Sequence, residues 1–72
     1  MQINNEHLKC LGKHIKTLRK GKKLTLSALC YKNGMEPSTL SRIEAGLVDP
    51  KYLTLLKIAE SLDTNLSKLL DF

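Results

Sequence analysis

The sequence predicts an all-α fold of five short helices arranged around a central helix-turn-helix. Three observations carry that prediction. Apolar residues recur at spacings of three and four, the period of one helix face, and nowhere in the alternation of a half-buried strand. The periodic stretches are divided by Gly21, Asn33-Gly34, Gly46 and Asp49-Pro50, residue types that stop or start helices. The two stretches flanking Gly34 are only about two turns long, too short to persist without neighbours.

The first helix follows from Leu8, Leu11, Ile15 and Leu18, with Asn5 as its cap and Gly21 as its stop. Its other side carries Lys9, Lys13, Lys16 and Lys20, so it is amphipathic with a basic outer face. Thr25 is placed to cap a second helix, turned inward through Leu26, Leu29 and Cys30 and ended by Asn33-Gly34. Pro37 fits the first turn of a third helix, about residues 37–45, with Leu40 and Ile43 inward and Gly46 closing it. Asp49 and Pro50 repeat that signal for a fourth, whose expected buried face is Tyr52, Leu55, Leu56, Ile58, Ala59 and Leu62. Asn65 caps a last short helix bearing Leu66, Leu69 and Leu70.

Seventy-two residues make one domain, 1–72, near the lower limit for a fold held by its core alone. Two cysteines twenty positions apart, with no CxxC pair and no apolar leader, suit a reducing cytoplasmic setting. No apolar run approaches the length of a membrane span, so a soluble protein with no membrane partner is expected. The net charge of +5 is concentrated: residues 1–24 hold seven Lys or Arg against Glu6, whereas residues 25–72 hold five basic and six acidic groups. A basic end on a small domain favours a polyanionic partner, nucleic acid first.

Two short helices joined by a glycine that can take positive φ form a helix-turn-helix, whose second helix projects its outer side into a groove. "LTLSALCYKNGMEPSTLSRIEAG" resembles the helix-turn-helix core of the Cro and phage-repressor family, the Xre-like regulators. "LGKHIKTLRKGKKLT" is similar to that family's first helix and loop, and "DPKYLTLLKIAESLDTNLSKLL" to its fourth and fifth helices, so the resemblance covers about residues 11–70. It implies a lambda-repressor-like bundle that binds double-stranded DNA as a sequence-specific transcriptional regulator, as a homodimer reading two half-sites. It also implies an ion pair between Arg19 and Glu44 that locks the reading helix to the bundle.

The family's base-reading positions fall on Glu36, Pro37, Ser38, Thr39, Ser41 and Arg42. Arg42 can donate two hydrogen bonds to O6 and N7 of guanine, whereas Ser38 and Ser41 discriminate less and Pro37 offers only apolar contact. Phosphate contacts are expected from Lys22, Lys23 and Thr25 at the start of the second helix, where unpaired N–H groups and the dipole attract anions, and from Lys51 by the same logic. The chain departs from the family at Leu26, where many members carry a glutamine that clamps the DNA backbone. It departs again at Ala45, Leu47, Val48 and Leu53, where polar or basic residues are usual.

Leu47, Val48 and Leu53 are either a protein-facing patch or singly exposed residues, which leaves a protein-interaction module of the same fold, antitoxin-like or a regulatory partner, as the alternative function. The resemblance implies the carboxy-terminal helix as the dimer seam, formed by Leu66, Leu70 and Phe72 unless the monomer core takes them up, with the Leu47, Val48 and Leu53 patch as the other candidate seam. His7, Cys10 and His14 share one face of the first helix without a fourth ligand, so no metal site is expected. Neither a phosphate loop nor a nucleophile with a partnered base is present, so no enzymatic activity, cofactor or small-molecule ligand is expected.

Overall fold

The structure is a computed structural model and describes residues 6–72. These form five helices and no strand: α1 Glu6–Gly21, α2 Leu26–Asn33, α3 Pro37–Glu44, α4 Tyr52–Ser61 and α5 Leu66–Leu69. The cap expected at Asn5 lies outside the described residues.

Every helix contributes to one core, made of Leu11, Ile15, Leu29, Cys30, Leu40, Ile43, Ile58, Ala59, Leu62 and Leu69. At about 1.5–3 kcal/mol for each large aliphatic side chain removed from water, this shared burial holds helices that are too short to persist alone. Burial pushes the Cys30 thiol above its ordinary pKa, so it packs as a neutral, weakly polar residue. The start of α2 is fixed by Thr25, whose Oγ1 accepts the Ala28 N–H at 3.0 Å. Its end is fixed by Gly34, at φ 74°, a conformation that glycine adopts without a steric penalty, and the Gly34 N–H donates to the Cys30 carbonyl at 2.8 Å. The sharp turn sends the chain into α3, which opens on Pro37.

Three local expectations need correction. Gly21 does not stop α1; the helix includes it, and the left-handed residue is Lys23, at φ 58°. The Leu24 N–H then donates back to the Arg19 carbonyl at 3.1 Å. Leu24 packs against the core, which puts the reversal two residues later than the glycine.

Asp49 and Pro50 do not form the cap and first turn of α4. Its N-cap is Lys51, in extended backbone, and its first residue is Tyr52. Val48 is held against the core, and Pro50 disfavours helical backbone at Asp49, so residues 49–51 carry the chain across before the helix can start.

Two residues assigned inward face water: Tyr52 is 63% exposed in the first turn of α4, and Leu70, 44% exposed, is the residue that ends α5. Leu55 and Leu56 are half-buried, and the buried side of α4 is Ile58 and Ala59, continued by Leu62.

At Gly12, α1 and α3 come into close contact. A methyl group there would run into the backbone carbonyls of Ile43 and Glu44, so α1 crosses the end of α3 with no side chain between them. Gly21 has nothing within reach of a added Cβ. Gly21→Ala should therefore stabilise the fold by about 0.5 kcal/mol and Gly12→Ala destabilise it by about 1–3 kcal/mol, read as opposite shifts of the urea midpoint at unchanged slope. Equal midpoints for the two variants would contradict the tight α1–α3 crossing.

Candidate nucleic-acid interface

Leu40 and Ile43, three residues apart, turn one side of α3 into the core, and the rest of its circumference must face outward. How α3 is rotated is settled at its end, where Glu44 meets Arg19 of α1. Arg19 Nε donates to Glu44 Oε2 at 2.7 Å and Nη2 donates to Oε1 at 3.0 Å, while Nη1 donates to the Leu24 carbonyl at 2.7 Å. Both side chains are buried, at 8% and 7% exposure. The hydrogen bond to Glu44 raises the Arg19 pKa above its ordinary value although burial works against it, so the guanidinium stays charged. A two-pronged bond of this kind has a direction as well as a strength, and it pins α3 to α1 and to the loop after α1.

With α3 so held, Glu36, Pro37, Ser38, Thr39, Ser41 and Arg42 are all exposed. Ser38, Ser41 and Arg42 share the face opposite Leu40 and Ile43, Pro37 and Thr39 border it, and Glu36 precedes the helix as an N-cap whose side chain makes no capping bond. Ala45 is exposed on that same face, four residues after Ser41 and seven after Ser38. The helical spacing alone would have placed it there. Gly12 was also missed, although a small residue between Leu11 and Ile15 in an inward stripe is the mark of a close helix crossing.

Lys22, Lys23 and Thr25 are exposed together at the approach to α2. The Thr25 hydroxyl accepts from Ala28 and keeps its own proton to donate outward. Lys51 is exposed at the start of α4. Leu26 packs against the core.

The remaining candidates separate. With its proton on Nε2, His14 donates to the Lys68 carbonyl 3.0 Å away, and its ring lies 5.7 Å from that of Phe72. His14 thus ties α1 to the end of α5, while His7 and Cys10 are exposed on the same side of α1. Leu66 packs on the core, leaving Leu70 and Phe72, the latter 56% exposed, as the outward part of the carboxy-terminal end. Val48 packs on the core too, whereas Leu47 and Leu53 are each 69% exposed.

A helix-turn-helix whose second helix carries an outward polar face is thus in place. The model of the HTH_3 helix-turn-helix family matches residues 15–69. The chain belongs to that family. Among solved structures, the restriction-modification controller protein C.AhdI from Aeromonas hydrophila is 27% identical, with a TM-score of 0.84 over 86% of this chain and 94% of that one. An HTH_3 family transcriptional regulator from Vibrio cholerae is 31% identical, with a TM-score of 0.85 over 90% of this chain, which spans 36% of that longer protein. The clp gene regulator ClgR from C. glutamicum shares the fold at 23% identity, with a TM-score of 0.85 over 89% of this chain and 82% of that one. No curated protein matches the sequence. The family is Xre/Cro-like, which agrees with the resemblance read from the sequence.

Removing one partner of the buried pair leaves the other charged and unpaired. Glu44→Ala should destabilise this HTH_3 domain by about 3–5 kcal/mol, whereas the apolar double variant Arg19→Met with Glu44→Leu should lose much less. Thermal or urea unfolding of the two variants checks this, and equal losses would mean that the pair's burial is not what makes its disruption costly.

Proposed function

We propose that this HTH_3 protein is a sequence-specific transcriptional regulator without enzymatic activity. Its single domain, residues 1–72, binds double-stranded DNA in the cytoplasm as a homodimer with α3 in the major groove. The observation that carries this reading is the outward face of α3, held in one orientation by Arg19 and Glu44 and bearing Ser38, Ser41 and Arg42. Arg42 reads guanine through O6 and N7; Ser38 and Ser41 bond base edges; Pro37 and Thr39 bound the contact; and Glu36 lies at its entrance. Lys22, Lys23 and the free proton of Thr25 hold the phosphate backbone at the start of α2, and Lys51 holds it at the start of α4.

The family supports DNA binding and regulation, and C.AhdI, itself a controller protein, supports a regulatory role for a chain of this size. Two unpaired cysteines, Cys10 and Cys30, suit a reducing compartment. One α3 offers too little surface for tight specific binding, so two copies reading half-sites about one helical turn apart are required. Leu70 and Phe72 are the exposed apolar residues nearest the chain end for that seam.

A second reading, an interaction module of the same fold, is favoured by Leu47, Tyr52 and Leu53, which are 69%, 63% and 69% exposed around the entry to α4. The two readings separate in one experiment: selection of bound duplexes from a random pool, followed by anisotropy with the parent and Arg42→Ala. The DNA reading gives an enriched inverted repeat and a loss of about 1–3 kcal/mol for Arg42→Ala, with relaxed preference at one guanine. No enriched motif, together with a loss of protein binding in Leu53→Lys, would establish the module.

A further inference from the structure

Four lysines on α1 have no part in the interface described so far. Lys9, Lys13, Lys16 and Lys20 are exposed, and among the described residues none of them enters an ion pair. Their place around the helix is fixed by its neighbours. Counting about 100° per residue from Ile15 in the core, Gly12 and Arg19 come at about 40–60°, against the end of α3. Lys9, Lys13, Lys16 and Lys20 follow at about 100–160° in the same sense. The opposite sense leads to His14 and α5. The lysines therefore lie beyond the end of α3 as seen from the core, on the side of α1 away from α5.

Both ends of the stripe adjoin the helix-turn-helix unit, one at the connection leaving α3 and the other at the approach to α2. A Cβ on Gly46, in the connection leaving α3, would sit 2.7 Å from the Cα of Lys9, so Lys9 abuts that connection directly. At the other end Lys20 leads through Lys22 and Lys23 to Thr25 at the start of α2. From Lys9 to Lys20 the stripe is about 16 Å long, with no apolar residue within it.

We infer that this stripe is a second phosphate track, which binds the sugar-phosphate backbone of the same duplex outside the half-site read by α3. The inference rests on the DNA-binding reading above. A one-sign array at regular spacing suits a partner with evenly repeated charge, and a duplex carries about one negative charge per 1.7 Å of its axis. A protein partner would call for an apolar centre with a polar rim, which the stripe lacks. The uneven charge of the chain has the same explanation: all of the excess of basic groups lies in residues 1–24, along this track and its continuation to α2.

The test uses the selected site in duplexes with flanks of about two and about ten base pairs, titrated by anisotropy over a salt series. Parent protein is compared with the quadruple variant Lys9→Gln, Lys13→Gln, Lys16→Gln and Lys20→Gln, and with Arg42→Ala. Long flanks should tighten the parent about tenfold at low salt and steepen its dependence on salt. The quadruple variant should lose that gain, its log–log slope falling by about 0.9 for each lysine engaged, while it selects the same motif. The flank series on the parent needs no variant to fold. Flank-independent affinity, or an unchanged slope in the quadruple variant, with Arg42→Ala still impaired, overturns the track alone and leaves the lysines as solvated surface. If the parent binds no selected duplex, or Arg42→Ala binds as the parent does, the DNA reading fails and the track fails with it.

Discussion

Arg19 joins three parts of the chain at one corner: its guanidinium bonds both carboxylate oxygens of Glu44 at the end of α3 and the carbonyl of Leu24 in the loop before α2. Apolar contacts alone would keep α3 against the bundle, yet they would restrain its rotation about its own axis only weakly. A planar fork bonded to a carboxylate does restrain it, because both bonds fail if the helix turns. Glu44 is also poorly placed for its helix, since a negative charge at a helix C-terminus opposes the dipole. Its burial there is intelligible only with Arg19 opposite. The pair adds little net stability over well-packed apolar residues, so its contribution is orientation.

That corner works because α1 and α3 touch backbone to backbone. With any side chain at position 12 the end of α3 would be pushed outward and the carboxylate of Glu44 drawn away from the guanidinium. Gly12 and the ion pair are thus two parts of one contact, seven residues apart on the same side of α1 and meeting the same end of α3. Gly34 has the complementary task at the other end: its left-handed backbone reverses the chain so that Leu29 and Cys30 on one side of the turn and Leu40 on the other enter the same core. The outer face of α3 takes no part in any of these contacts. Ser38, Ser41, Arg42 and Ala45 can change without disturbing the fold, which is the physical condition for one scaffold to carry many recognition surfaces.

Most of this was legible in the sequence because the signals were local. The spacing of Leu11, Ile15 and Leu18, the cap at Thr25, the glycine at 34 and the proline at 37 each act within one turn of chain, and each element they mark is present. The misjudged positions are those where a distant contact prevails over a local signal. Gly21 looks like a stop, but the demand that Leu24 reach the core moves the left-handed residue to Lys23. Asp49-Pro50 looks like a helix start, but Val48 is anchored to the core and the chain must still cross to α4. Tyr52 and Leu70 fit an apolar period and yet sit at helix ends, beyond the packed layer. Of the site, the face of α3 was readable from spacing, and the pairing of Arg19 with Glu44 only from the resemblance, since nothing local connects residues twenty-five positions apart.

The departure at Leu26 bears on how such a domain would hold DNA. Leu26 turns toward the core, so the start of α2 offers no long polar side chain to grip a phosphate there. What remains is the Thr25 proton, the N–H groups of the first turn and the lysines just before them. On the proposed DNA reading, anchoring there would lean more on long-range attraction by flexible charges, which is strong at low salt and is screened over about 10 Å at 0.1 M. If it binds DNA as proposed, a domain built this way would depend on ionic strength for its affinity and on α3 for its choice of site. On the proposed reading the two properties would reside in different parts of the chain, the first in residues 9–25 and the second in residues 36–45.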